Sequence, residues 1–490
     1  MAKFIVVYHR LPFEQVNVKG RTVLREPKSP NGIIPTLKGF FKHFDDGLWL
    51  AWQEVQAEHL GQLGERIRLD SVNTPLQVQC VGLTKELINS FYHRTSKAAL
   101  WPILHSFTER FDYDAANWEE FREVNKLFAQ ATCEVADKGA TVWIHDYNLW
   151  LVPGYIRELR NDLKIAFFHH TPFPASDMFG ILPWRKEILQ SLLCCDRIGF
   201  HTPRYAENFA SCARAFIRPA VSRAKSIVHP RLQQRNTILQ ESVYTSALSV
   251  MDRTVYLDIA PIGVDERAIG KVAMSAATRK QAHDLRKTIG AEKIILSIGR
   301  IDYTKGTSEM LRAFESLIET RPDLIGKVRL CVTSVAPASG IRAYDDVREE
   351  IERSVGAING RYSTADWTPV LFFTSPIRFQ DLIAWYVAAD ICWITPLRDG
   401  LNLVAKEYIA AKQGLPGVLV LSEFTGAAIE LDEAMRTHPY SARSMLQTIT
   451  QAVELSEDDA RNQMMALGRR VAQFNLAAWT REMIASLESN

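Results

Sequence analysis

Short, unbroken apolar runs recur along the chain, and stretches with helical spacing separate them. The runs occupy residues 4–8, 142–145, 165–169, 198–201, 255–259, 294–298, 328–332, 370–373, 391–394 and 418–421. They are rich in Ile, Val and Phe and do not alternate with polar residues, which predicts parallel strands buried on both faces. Between two of them, Trp118, Phe121, Val124, Phe128, Ala131 and Val135 fall on one stripe of a helix. Strand–helix alternation of this kind predicts doubly wound α/β domains. The 490 residues leave room for two or three domains at roughly 150 residues each. We place the boundary near residue 250. Residues 1–250 then form one Rossmann-like domain, 251–465 a second, and 466–490 a C-terminal helical segment that packs back on the first. Two such domains facing a central cleft would present ligands to the loops at the carboxyl ends of the strands.

Bulk properties remove several classes of partner. The formal net charge is +2, so no global field draws the chain to nucleic acid or to a membrane. No apolar run approaches the roughly 18 residues that a membrane span needs. The N-terminus enters a strand pattern directly, without the charged and apolar regions of a signal peptide. Seven scattered cysteines with no Cys-x-x-Cys pair suit small buried side chains better than a disulfide framework. A cytoplasmic location is expected. Residues 214–235 hold six Lys or Arg and no acid; this reads as a solvated face, with a polyanion contact or regulatory surface as the alternative.

Chemistry is concentrated just after the apolar runs. Residues 299–306 read GRIDYTKG and place Arg300 and Lys305 between a strand end and a helix start. A guanidinium grips phosphate oxygens in pairs and an ammonium acts as a point charge, so the two suit a diphosphate; a solvated loop is the bland alternative. Residues 396–408 read PLRDGLNLVAKEY. A helix opening near Asn402 would offer its free N–H groups to an anion, with Glu407 about one turn further on; a capped helix with an early acid would look the same. HDYN (145–148) and HHTPFP (169–174) put Asp146 and His170 at strand ends, although a satisfied core histidine is common in such places. Ser29-Pro30-Asn31-Gly32 precedes an apolar helix, which fits phosphate approach or a plain N-cap. Asp112-Tyr113-Asp114 has the D-x-D form of metal-dependent transferases, but its place before the 118–135 helix favours a capping loop. Neither a Walker A motif, a His-Glu-x-x-His, a G-x-G-x-x-G nor a G-x-S-x-G occurs.

Taken together and in this order, HDYN, HHTPFP, GRIDYTKG and PLRDGLNLVAKEY resemble the trehalose-6-phosphate synthase family of retaining GT-B glycosyltransferases (family GT20) over nearly the whole chain. The resemblance implies that Arg300 and Lys305 hold the donor diphosphate and that Asp399 bonds the transferred glucose. It implies that Asn402 opens the helix whose Leu403 and Val404 amides meet the phosphates, and that Glu407 binds the ribose. Gly32 would approach the diphosphate from the other domain, and His170 would touch the donor sugar. Arg10, Tyr92, Trp101 and Asp146 would line the acceptor side, with Arg342 from the loop that reaches the acceptor phosphate in the family. Arg300, Lys305, Asp146 and His170 are the catalytic candidates. No metal and no cofactor beyond the nucleotide sugar is implied, and domain closure is expected to expel competing water.

Three departures, namely Asn31-Gly32 for a double glycine, Asn148 in HDYN, and a shorter loop before Arg342, resemble the branch of the family that makes glucosylglycerol phosphate. The opening Tyr8-His9-Arg10-Leu11-Pro12-Phe13-Glu14 does so as well. That branch implies ADP-glucose and sn-glycerol 3-phosphate as substrates, in the synthesis of a compatible solute for salt tolerance. A separate phosphatase would act on the product, since no phosphatase motif follows. Two alternatives stand beside this: a trehalose-6-phosphate synthase using glucose 6-phosphate, and an inactive regulatory or polyanion-binding homologue. Whether copies of the chain assemble into a homo-oligomer is left open by the sequence.

Overall fold

Each of the ten apolar runs falls in a strand, with Tyr8 and His201 one residue beyond theirs, and the strands belong to two separate large sheets. The structure, a computed structural model, describes residues 1–18, 21–25, 33–44, 46–69, 76–218, 220–232, 237–335 and 342–488. The chain divides into two units, one of Met1–His229, Glu241–Ala260 and Thr480–Asn490, the other of Pro230–Gln240 and Pro261–Trp479. The main division thus falls at residue 260 rather than near 250, and the segment that rejoins the first unit begins at Thr480 rather than at 466.

The first unit contains β1 (Ala2–Val7), β2 (Glu14–Val18), β3 (Arg21–Arg25), β4 (Gly47–Glu54), β5 (Ile67–Leu69), β6 (Leu76–Leu83), β7 (Ala136–His145), β8 (Lys164–His169), β9 (Arg197–Phe200), β10 (Val221–Ile227), β11 (Val243–Val250) and β12 (Arg253–Ile259). All but the β2–β3 pair form one sheet in the order β10-β11-β12-β9-β8-β7-β1-β4-β6-β5. The run from β12 to β6 is parallel, and both edges are antiparallel. The basic stretch at 214–235 is therefore no featureless face: β10 is the sheet's edge strand, and Arg214 is held by Glu207 at 2.8 Å and by Ser222 at 2.8 Å. The helix Trp118–Val135 buries all six residues of the expected stripe. Asp112 accepts from the Ala115 amide in the turn before that helix, but the cap itself is the side chain of Asn117. Within the returning helix Leu476–Glu488, Ser486 donates to Asp258 at 2.7 Å, the carboxylate that also holds Arg197 through two contacts of 2.9 Å.

The second unit carries one parallel sheet of β13 (Lys293–Arg300), β14 (Val328–Val335), β15 (Val370–Phe373), β16 (Ile391–Ile394), β17 (Val418–Ser422) and β18 (Met435–Thr437), in the order β15-β14-β13-β16-β17-β18. Chain order runs outward in opposite directions from β13 and β16. This is a topological switch point, where the loops beyond neighbouring strands diverge and leave room for a ligand. The first sheet has its own switch point between β1 and β7. These two places carry the sequence motifs. Among the described residues, no helix is long and apolar enough to cross a membrane.

Candidate active site

In the second unit the loops after β13 and β16 are fastened to each other. Asp302, buried to 3% exposure, accepts from the amide and the hydroxyl of Thr304 and so shapes the turn Tyr303–Lys305. The Leu397 amide donates to the Thr304 carbonyl at 2.8 Å, and the Thr395 hydroxyl reaches the Lys305 and Gly306 carbonyls at 3.2 Å each. Gly306 has φ +65°, and a Cβ there would lie 2.2 Å from the Thr395 oxygen, so no other residue fits without moving this contact. The turn aims Lys305 at Asp399, with Nζ to Oδ2 2.8 Å and the side chains 20% and 16% exposed. Arg300 ends β13 and is exposed.

Asp399 also accepts from Asn402 Nδ2 at 3.1 Å, while Asn402 Oδ1 caps the helix Leu403–Lys412 by accepting from the Ala405 amide at 3.1 Å. Asn402 holds φ +84°, an uncommon conformation for a residue with a side chain. One capping oxygen serves one amide. The amides of Leu403 and Val404 have no helical carbonyl to pair with and form the positive end of the helix. Glu407 stands four residues beyond Leu403 on the same face and accepts from Tyr386 Oη at 2.8 Å. Burial pushes its carboxyl above the ordinary range, with the tyrosine bond opposing. Arg300, Lys305, Asp399, Asn402, Leu403, Val404 and Glu407 thus share one end of one sheet. The arrangement joins a phosphate-sized group of donors to two carboxylates able to accept from hydroxyls.

In the first unit the corresponding end gathers Arg10 after β1, Asp146 after β7 and His170 after β8, because these three strands are neighbours. Asp146 has φ +71°; its amide donates to the Phe168 carbonyl at 3.0 Å, and its Oδ1 accepts from the Tyr147 amide at 3.0 Å. Burial pushes this carboxyl up to about 6, while the Tyr147 amide, Lys97, the His170 amide and Arg10 pull it down. His145 Nδ1 lies 3.0 Å from His170 Nε2, so one ring donates and the other accepts. Burial lowers His170 well below its ordinary value and His145 to about 3, which keeps both neutral. His169, in contrast, is a core residue: its Nδ1 is 3.0 Å from the Thr171 carbonyl, and its ring stacks on Trp150 at 5.7 Å. Asn148 is buried to 1%, and its carbonyl accepts from Asn125 at 3.2 Å, so it shapes the loop behind Asp146.

Tyr92 and Trp101 border Arg10. The guanidinium donates to the Tyr92 hydroxyl and lies 5.3 Å from that ring's centroid. Both aromatics belong to a segment that the sequence left unassigned, a π-helix over Asn89–Leu100 followed by the α-turn Trp101–Leu104. The Trp101 amide bonds the Ser96 carbonyl five residues back, and the Ser96 hydroxyl bonds Phe91, again five back, at 2.8 Å. This segment also brings in Lys97, which motif reasoning did not single out. Gly32 lies outside the described residues. Arg342 begins the helix Arg342–Tyr362, but its side chain and the loop before it are also outside them.

The family profile described as Glycosyltransferase family 20 matches residues 2–489. The chain is 44% identical over 483 residues to a glucosylglycerol-phosphate synthase from Synechocystis sp., covering 99% of this chain and 97% of that protein. It is 36% identical to a trehalose-6-phosphate synthase from Mycolicibacterium gilvum, covering 100% of this chain and 94% of that one. Among solved structures, the E. coli trehalose-6-phosphate protein bound with UDP-2-fluoro glucose superposes with a TM-score of 0.85 at 26% identity, over 99% of both chains.

Proposed function

The chain belongs to glycosyltransferase family 20, and from that premise we propose that it transfers glucose from ADP-glucose to sn-glycerol 3-phosphate. The products are 2-O-(α-D-glucosyl)-sn-glycerol 3-phosphate and ADP, with the anomeric configuration retained. The greater identity to glucosylglycerol-phosphate synthases than to trehalose-6-phosphate synthases supports this acceptor. The observation that carries the chemistry is the Lys305–Asp399 contact of 2.8 Å beside the open end of the Leu403–Lys412 helix.

The diphosphate gains negative charge as the glycosidic bond breaks. Lys305, held by Asp399, and the amides of Leu403 and Val404 are fixed before that happens, so their interaction strengthens in the transition state at little cost of rearrangement, and Arg300 at the end of β13 adds its charge there. Asp399 orients the Lys305 ammonium and offers an acceptor to a glucose hydroxyl. Glu407 accepts from the ribose. On the acceptor side, Asp146 receives a hydrogen bond from the attacking alcohol, and the departing phosphate takes that alcohol's proton. The neutral His145–His170 pair presents a donor to the sugar without adding charge. The proposal includes no metal ion.

The transfer leaves the acceptor's own phosphate ester intact, so release of glucosylglycerol as an osmolyte needs a phosphatase step. A cytoplasmic location follows from this metabolic role. The test is a matrix of ADP-glucose and UDP-glucose against glycerol 3-phosphate and glucose 6-phosphate, with products identified by mass. Glucosylglycerol phosphate as the main product supports the reading. Trehalose phosphate as the main product would overturn the acceptor, and absence of turnover would overturn the activity.

A further inference from the structure

Lys97 is a buried cation without an assigned role. It is 9% exposed, and its Nζ lies 3.7 Å from the centroid of the Trp101 ring, 5.7 Å from Tyr92 and 6.0 Å from Tyr147. An ammonium held away from water at this place is compensated in part by the aromatic faces around it. The Arg10 guanidinium occupies the same tyrosine, 5.3 Å from the Tyr92 centroid, so two like charges share one aromatic wall. Beside them the indole N–H of Trp101, a residue 7% exposed, has no hydrogen-bond partner. The group is rich in donors and positive charge, and the carboxyl that senses both cations is Asp146.

The π-helical backbone over Asn89–Leu100 makes this arrangement. At 3.6 residues per α-helical turn, side chains five apart such as Tyr92 and Lys97 would diverge by roughly 140°. The wider π-helical turn returns them to one side, with Trp101 four residues beyond. Such widened turns are uncommon and concentrate at functional positions.

From this juxtaposition we propose that Lys97 binds the phosphate of the acceptor, a phosphomonoester dianion, together with Arg10 and the Trp101 N–H, and so sets the preference for a phosphorylated alcohol. The inference rests on the acceptor reading of the first unit's site. A dianion between an ammonium and a guanidinium relieves their mutual repulsion and gives the indole N–H its missing partner. The glycerol hydroxyl is then left on the Asp146 side. Free inorganic phosphate has the same chemistry and should compete at this place.

The experiment compares the full-length protein with Lys97→Met, Lys97→Gln and Lys97→Arg. It measures kcat and KM for glycerol 3-phosphate and for the nucleotide sugar, rates with unphosphorylated glycerol, and inhibition by inorganic phosphate. Loss of one charge-assisted contact should raise the glycerol 3-phosphate KM about thirtyfold. The donor KM should change less than about threefold, the advantage of glycerol 3-phosphate over glycerol should shrink, and phosphate should inhibit more weakly. Lys97→Arg should retain most of the affinity. Lys97→Gln carries the test if the methionine variant does not fold. Unchanged acceptor KM and phosphate inhibition in folded Met or Gln variants would mean that Lys97 only packs on its aromatic wall, and the proposal would fall. Wild-type protein with glucose 6-phosphate as its true acceptor would instead overturn the function, and the Lys97 effect would be read on that phosphate.

Discussion

Replacing Lys305 by alanine removes the charge on which the proposed leaving-group stabilisation most depends. Its ammonium is 2.8 Å from Asp399 and 20% exposed, a partly buried setting. At an effective dielectric near 20, one unit charge about 4 Å from another is worth about 4 kcal/mol. Only the charge that develops between ground state and transition state counts toward turnover, so the loss should be somewhat smaller. A lost oxyanion donor typically costs about 2.7–4 kcal/mol, or about a hundredfold to a thousandfold in kcat. Arg300→Ala should lower kcat by at least about a hundredfold for the same reason. The assay is the initial rate of ADP release at saturating donor and acceptor, with a thermal midpoint for each variant. The expected signature is a collapse in kcat with a smaller change in donor KM, because the interaction is strongest when the bond is breaking. A folded Lys305→Ala variant with kcat within about threefold of wild type would refute the electrostatic role.

Two further predictions concern stability. Lys406 and Glu430 are paired at 2.5 Å with side chains 3% and 2% exposed, and Lys406 also donates to the Ile262 carbonyl at 2.7 Å. Lys406→Met alone should cost about 3–5 kcal/mol in denaturant unfolding, and adding Glu430→Gln should recover part of that loss; an unaltered single variant would contradict the burial argument. Burial lowers His145 to about 3 and His169 to about 4, so unfolding lets each bind a proton below its ordinary value near 6.5. Stability should therefore be intact above pH 6.5 and fall as pH drops through 6.5 toward 4, by about 1.4 kcal/mol per pH unit for each histidine. Asp146, raised to about 6, opposes this with the effect of one group below pH 6. Denaturant midpoints at pH 7.5 and 5.5 check the balance, and equal midpoints would refute it.

Ten of the parallel strands were readable because burial on both faces leaves a continuous apolar run, as in β16, where all four residues are buried. β6 escaped notice because Gln77 and Gln79 interrupt its run, and β10 because an edge strand leaves Arg223 and Lys225 exposed. Lys305, Asp399 and Asn402 were legible as motif residues after a strand. The contact of Lys305 with Asp399 was not, since it depends on β13 and β16 becoming neighbours across the switch point. The π-helix left no periodic signature, because Tyr92, Lys97 and Trp101 match neither a 3.6-residue nor a 2-residue repeat. Lys97 was missed for that reason. The positive φ of Asp146 was also hidden, as nothing in HDYN distinguishes a strained aspartate from an ordinary one.

The central claim is retaining transfer of glucose to a phosphorylated glycerol. The most direct measurement follows the anomeric carbon by NMR during turnover of ADP-glucose labelled with carbon-13 at C1, in the presence of glycerol 3-phosphate. The account predicts an α-linked signal at the secondary hydroxyl of glycerol 3-phosphate that grows as the donor signal disappears. A β-linked product, or free glucose accumulating with no glucosylated acceptor, would contradict it.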